Sequence, residues 1–101
     1  MVGIVLVTHG GIAREMLLAT QAIVGPVEAM VAVSSDAEET GDVRDRIKAA
    51  IEAVDTGDGV LLVTDMFGGT PANVALSFLS EKMIEVVTGA IPVRRIELAS
   101  A

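Results

Sequence analysis

Four short apolar runs divide the chain, and between them apolar residues return at helical spacing. Gly3-Ile4-Val5-Leu6-Val7-Thr8 is nearly continuous, rich in β-branched residues and closed by His9-Gly10-Gly11. Such a run predicts a buried parallel strand, because a strand covered on both faces has no polar side to alternate with. Ile12, Met16, Leu17, Thr20, Ile23 and Val24 then recur every few positions until Gly25-Pro26 stops the pattern, which predicts a helix. Residues 29–34 predict a second strand. After a polar stretch at 35–41, Val43, Ile47, Ala50, Ile51 and Val54 share one helical face, with Arg44, Asp45, Lys48 and Glu52 toward water.

The turn residues Asp55-Thr56-Gly57-Asp58-Gly59 lead into Val60-Leu61-Leu62-Val63-Thr64, the strongest central-strand signal in the chain, which ends at Asp65. A third helix is expected to start near Thr70-Pro71, with Thr70 in the capping position and proline inside the first turn, and to run through Val74, Ala75 and Phe78. Residues 85–88 predict a fourth strand. Strands alternating with helices predict an α/β fold: an open, mainly parallel four-stranded sheet in the order 2-1-3-4, with right-handed crossovers and helices on both faces. Residues 93–98 alternate enough to add a C-terminal edge strand. No repeat, low-complexity tract or linker interrupts the pattern, and a length of 101 residues suits one domain, 1–101.

Composition narrows the functional classes. The only aromatic residues are Phe67 and Phe78, so the core must be aliphatic. A formal net charge of −7 with scattered cations argues against nucleic acid, whose binders concentrate Lys and Arg on one face. The absence of cysteine removes disulfides, thiolate nucleophiles and thiolate metal sites, and it suits a reducing compartment. The first apolar run lacks a basic flank and is too short for a signal peptide, and no stretch approaches the roughly 18 apolar residues of a membrane span. The expectation is a cytoplasmic protein that does not insert into membranes.

In open parallel sheets ligands bind beyond the carboxyl ends of the strands, where strand order reverses, and in the order 2-1-3-4 that point lies between strands 1 and 3. His9 ends the first of these and Asp65 ends the other, so the single histidine and a carboxylate are expected to meet there. An imidazole attacks phosphorus through one nitrogen when its other N–H is held by an acceptor, and Asp65 is suited to that task. Gly10-Gly11 and Gly68-Gly69-Thr70 open the two following helices and offer backbone N–H groups, and the Thr70 hydroxyl, to phosphoryl oxygens. Taken singly, each residue has a plainer reading: a solvent-facing histidine, a carboxylate cap, glycines in tight turns. Met66 and Phe67 would ordinarily be core, but on the rim of this site they become docking contacts for a protein partner. Asp36 and its acidic neighbours read as a solvated loop.

Ile4-Val5-Leu6-Val7-Thr8-His9-Gly10, together with Thr64-Asp65-Met66-Phe67-Gly68-Gly69-Thr70-Pro71-Ala72-Asn73, resembles the enzyme IIA domains of the mannose family of the phosphoenolpyruvate-dependent sugar phosphotransferase system. The likeness covers about residues 1–89. It implies a phosphotransferase component that is phosphorylated on His9, oriented by Asp65 and aided by Thr70, without metal or other cofactor. It also implies a histidine-containing phosphocarrier protein as donor, an enzyme IIB or a regulatory protein as acceptor, and a homodimer. After about residue 89 the family's Gly-x-Asn-x-Pro segment and further helix are replaced by Gly89-Ala90-Ile91-Pro92, so the C-terminal part is expected to be shortened or altered. The alternatives are a non-catalytic regulatory or interaction module and a small tetrapyrrole metal chelatase. Chelatases also begin with a strand ending in His-Gly, but they add a second histidine. Histidine phosphatases carry Arg before His-Gly, where Thr8 stands here, and no nucleotide-binding glycine motif is present.

Overall fold

The computed structural model describes residues 2–36, 42–65, 69–79 and 83–88. The elements run β1 (Gly3–Thr8), α1 (Ile12–Val24), β2 (Met30–Ser34), α2 (Val43–Val54), β3 (Val60–Thr64), α3 (Gly69–Leu76) and β4 (Ile84–Val87). Their sheet is all parallel in the order β2-β1-β3-β4, as the alternation of elements predicts. The expected edge strand at 93–98 lies outside the described residues.

Side chains alternate across a strand, so each strand feeds two faces of the sheet. Val5 and Val7 of β1 and Val60 and Leu62 of β3 turn toward α2 and α3, where they join Ile47, Ala50, Ile51, Val54, Ala75 and Phe78 in one aliphatic core. Ile47, Leu62 and Phe78 are sealed from water, and each contributes about 1.5–3 kcal/mol by burial. Gly3 lets the end of α2 come close: a Cβ there would lie 2.5 Å from the Val54 carbonyl oxygen, a distance real atoms do not reach. The alternate residues of β1 point toward α1, on the other face, which puts helices on both sides of the sheet.

Three details differ from the sequence pattern. In α1 the apolar period is present, yet the residue buried is Ala13, whereas Ile23 and Val24 at its end are 83% and 67% exposed. Periodicity says which residues share a face, and burial depends on whether another element covers it. The third helix already begins at Gly69, so Thr70 stands inside its first turn rather than in the capping position. That helix ends at Leu76 and tightens into turns, with Phe78 N–H donating to the Ala75 carbonyl at 3.0 Å. Phe78 stays buried all the same, and the Arg44 guanidinium of α2 lies 4.4 Å from its ring centroid while also donating to Ser77 Oγ.

Candidate functional site

The register of the central strands decides what meets at the carboxyl edge of the sheet. Val7 pairs with Thr64, so the residues that follow, His9 after β1 and Asp65 after β3, emerge side by side. His9 Nδ1–H donates to Asp65 Oδ2 at 3.0 Å, although the two residues are 56 positions apart. The same carboxylate oxygen accepts the His9 backbone N–H at 3.2 Å. Asp65 Oδ1 is buried and has no hydrogen-bond partner among the described residues. The side chains differ sharply in exposure, 42% for His9 against 4% for Asp65. A carboxylate can only accept, so the contact selects the Nδ1–H tautomer and leaves Nε2 with its lone pair. A half-exposed imidazole held from behind by a buried carboxylate is arranged to act as a nucleophile toward an electrophile arriving from solvent.

The turn from His9 to α1 is pinned at several atoms. Gly10 takes φ +51°, a left-handed conformation that suits glycine, and Gly11 follows as the N-cap of α1 without a side chain to cap it. The capping bond comes from further back: Thr8, buried at the end of β1, accepts the Ala13 N–H on Oγ1 at 2.7 Å. Gly10 N–H donates to Asp36 Oδ1 at 3.1 Å, beyond β2. Arg46 Nη1 donates to the Ser34 carbonyl and holds the end of β2 from below. Gly11 N–H makes no hydrogen bond among the described residues, so it is one of the donors that the start of α1 offers to an anion.

Of the residues expected in the site, His9 and Asp65 are in direct contact, and Gly10 and Gly11 form the adjoining turn. The Gly10 amide, expected as a phosphate donor, is occupied by Asp36 in this state. Gly69 and exposed Thr70 form the first turn of α3, which four residues separate from β3. Met66, Phe67 and Gly68 lie outside the described residues. A cleft of about 330 Å³ opens beside the turn, on the β2 side of β1, lined by Gly10, Gly11, Arg14, Ser34 and Asp36 among others. Among the described residues no three His, Cys, Asp or Glu side chains gather where they would hold a metal.

Sequence reading passed over Thr8, Arg14 and the role of Asp36. Asp36 is exposed, as a loop carboxylate should be, yet its acceptor is used on the Gly10 amide across 26 residues, and no local pattern announces such a bond. Thr8 did carry a signal, since a hydroxyl residue closing a strand just before a Gly-Gly turn and a helix is a ready cap.

Comparison with known proteins adds the family. The model of the PTS system fructose IIA component family, EIIA-man, matches residues 3–92. The chain belongs to this family. It is accordingly a phosphocarrier component of the phosphotransferase system. Among solved structures, the PTS IIA protein associated with the fucose utilization operon of Streptococcus pneumoniae is 29% identical, with a TM-score of 0.77 over 98% of this chain and 76% of that one. The phosphotransferase system component EIIA from Streptococcus agalactiae is also 29% identical, with a TM-score of 0.74 over 88% of this chain and 69% of that one. A third structure, from Klebsiella pneumoniae subsp. pneumoniae MGH 78578, shares the fold at 23% identity, with a TM-score of 0.75 over 97% of this chain and 72% of that one. No match is found among the curated proteins. Among the described residues, no helix of this IIA component is long and apolar enough to cross a membrane.

Proposed function

We propose that this IIA component carries its phosphoryl group on Nε2 of His9. The Nε2 lone pair attacks the phosphorus of a phosphohistidine on the donor, the histidine-containing phosphocarrier protein. The donor P–N bond breaks and its electron pair returns to the donor imidazole. Nδ1–H stays on the His9 ring throughout, and Asp65 stabilises the positive charge that the ring acquires. The reverse attack, by a nucleophilic side chain of an enzyme IIB or a regulatory protein, discharges the group. Gly11 N–H at the start of α1 and Gly69 and Thr70 at the start of α3, together with Gly68, which precedes them in sequence, serve as donors to the phosphoryl oxygens, and the Gly10 amide joins them when Asp36 lets go. Met66 and Phe67 serve as docking contacts. The reading places the protein in the cytoplasm, where donor and acceptor meet, and as a homodimer, which light scattering on the purified protein would test.

The observation that carries this proposal is the 3.0 Å contact that ties Nδ1 to a buried carboxylate while His9 stays half exposed. Intact mass after incubation with phosphoenolpyruvate, enzyme I and the histidine phosphocarrier tests it. One acid-labile phosphoryl group is expected on the wild type and none on His9→Ala. A phosphorylated His9→Ala protein would refute the assignment.

A further inference from the structure

We propose that Thr8 is a positioning residue for His9, acting through the turn that carries the imidazole. This inference rests on the phosphocarrier reading for its kinetic consequence, though its structural consequence can be read without any phosphoryl donor. Thr8 is the last residue of β1 and is only 1% exposed. Its hydroxyl works in both directions, accepting the Ala13 N–H at 2.7 Å and donating to the His9 carbonyl at 3.2 Å. One oxygen atom thus closes a ring around the whole segment from His9 to Ile12, from the last peptide of the strand to the first turn of the helix.

The other bonds on that segment are fewer and more exposed. Two of its four residues are glycines, the N-cap Gly11 has no side-chain acceptor, Gly10 N–H is held by the exposed Asp36 carboxylate at 3.1 Å, the Gly11 carbonyl takes the first helical bond from Glu15 N–H at 3.0 Å, and the bond from Ile12 N–H to the His9 carbonyl is long at 3.3 Å. His9 is tied to Asp65 by its ring and, through the Thr8–His9 peptide, by its backbone N–H. The hydroxyl of Thr8 holds the following peptide, His9–Gly10, by its carbonyl, so that the peptides on both sides of the His9 Cα are fixed. It also aims the first turn of α1, and with it the unpaired Gly11 N–H, toward the same place. Without the hydroxyl a rotating peptide loosens the Nδ1–H contact, so the ring visits the tautomer and the rotamers that present the wrong nitrogen. A misplacement of about 1 Å in a reacting group commonly costs on the order of a hundredfold in rate.

The test compares Thr8→Val, which keeps the volume and removes the hydroxyl, with Thr8→Ser, which keeps the hydroxyl. The ring nitrogens of His9 are observed by long-range ¹H–¹⁵N NMR at a pH where the imidazole is neutral, and phosphorylation rates by the donor system are measured on the same samples. In wild type and Thr8→Ser the Nδ1–H tautomer is expected to dominate, with rates within about threefold of each other. In Thr8→Val a mixture of tautomers is expected, with the phosphorylation rate lowered by about ten- to a hundredfold. Should the valine variant not fold, Thr8→Cys, a weak acceptor of similar size, takes its place. A valine variant with lowered melting temperature but wild-type ring signals and rate would make Thr8 a structural cap only and overturn the proposal. So would a serine variant as impaired as the valine one. If wild type takes no phosphoryl group, the phosphocarrier reading falls while the ring signals still decide the role of Thr8.

Discussion

Two helices on opposite faces of this sheet begin in opposite ways. α2 starts conventionally: Asp42, in extended conformation, accepts the Arg44 N–H on its side chain at 3.0 Å, a cap supplied by the neighbouring residue. α1 starts at a glycine that offers no side chain, and the cap reaches Ala13 from Thr8, on the strand before the turn. A local cap stabilises a helix and covers its end. A remote cap stabilises the helix while leaving the N-cap itself bare, so that a backbone N–H remains open beside His9. The difference separates a helix start closed by its own residue from one left open, which under the proposed function is the one used for chemistry.

Three substitutions sharpen or break that contrast. The largest effect is expected at Asp65, whose oxygen anchors the reactive side of α1. Asp65→Ala should slow phosphorylation of His9 by on the order of a hundredfold or more, by analogy with other histidines that lose the carboxylate orienting them. Circular dichroism should show the fold retained, and an unchanged rate would remove the orienting role. Gly10→Ala comes next. A Cβ at Gly10 meets nothing within 4 Å, so the effect isolates the backbone: forcing an L-residue to φ +51° costs roughly 1–2 kcal/mol. That should appear as a several-fold slower phosphorylation together with a lower melting temperature; a neutral outcome would mean the turn relaxes without consequence. The smallest effect on function belongs to Asp42→Ala in α2. Loss of that cap should lower stability by about 1 kcal/mol, which denaturant titration resolves. Phosphorylation kinetics should not change, and a slowed rate would erase the distinction between the two helix starts.

Much of this organisation is legible in the sequence, for physical reasons that also set the limit. The apolar runs at Val5 and Leu62 identify central strands because burial on both faces removes polar alternation, and strand order then brings His9 and Asp65 to one edge. Periodicity also groups Ile23 and Val24 with Met16 and Leu17, but it carries no information on what lies opposite, and both end residues of α1 are exposed. Thr70 reads as a cap because threonine before proline usually is one, while the helix gains an extra residue at Gly69. The bonds that finish the site, from Gly10 to Asp36 and from the backbone N–H and Nδ1–H of His9 to one oxygen of Asp65, join residues with no sequence relationship. They depend on strand register and on a glycine turn, which no local pattern encodes.

The shared oxygen of Asp65 links sheet pairing to regiochemistry. Because the main-chain N–H and Nδ1–H of His9 converge on a single oxygen of Asp65, the residue that follows β3, the imidazole cannot turn over without losing the contact that its own backbone keeps in place. A slip of β1 by one residue against β3 would carry the ring about 3.3 Å along the sheet, as far as the contact itself is long, and would send its side chain to the opposite face. Under the proposed role of His9, which of its two ring nitrogens faces an incoming phosphoryl group is therefore settled when Val7 pairs with Thr64, well before any donor arrives.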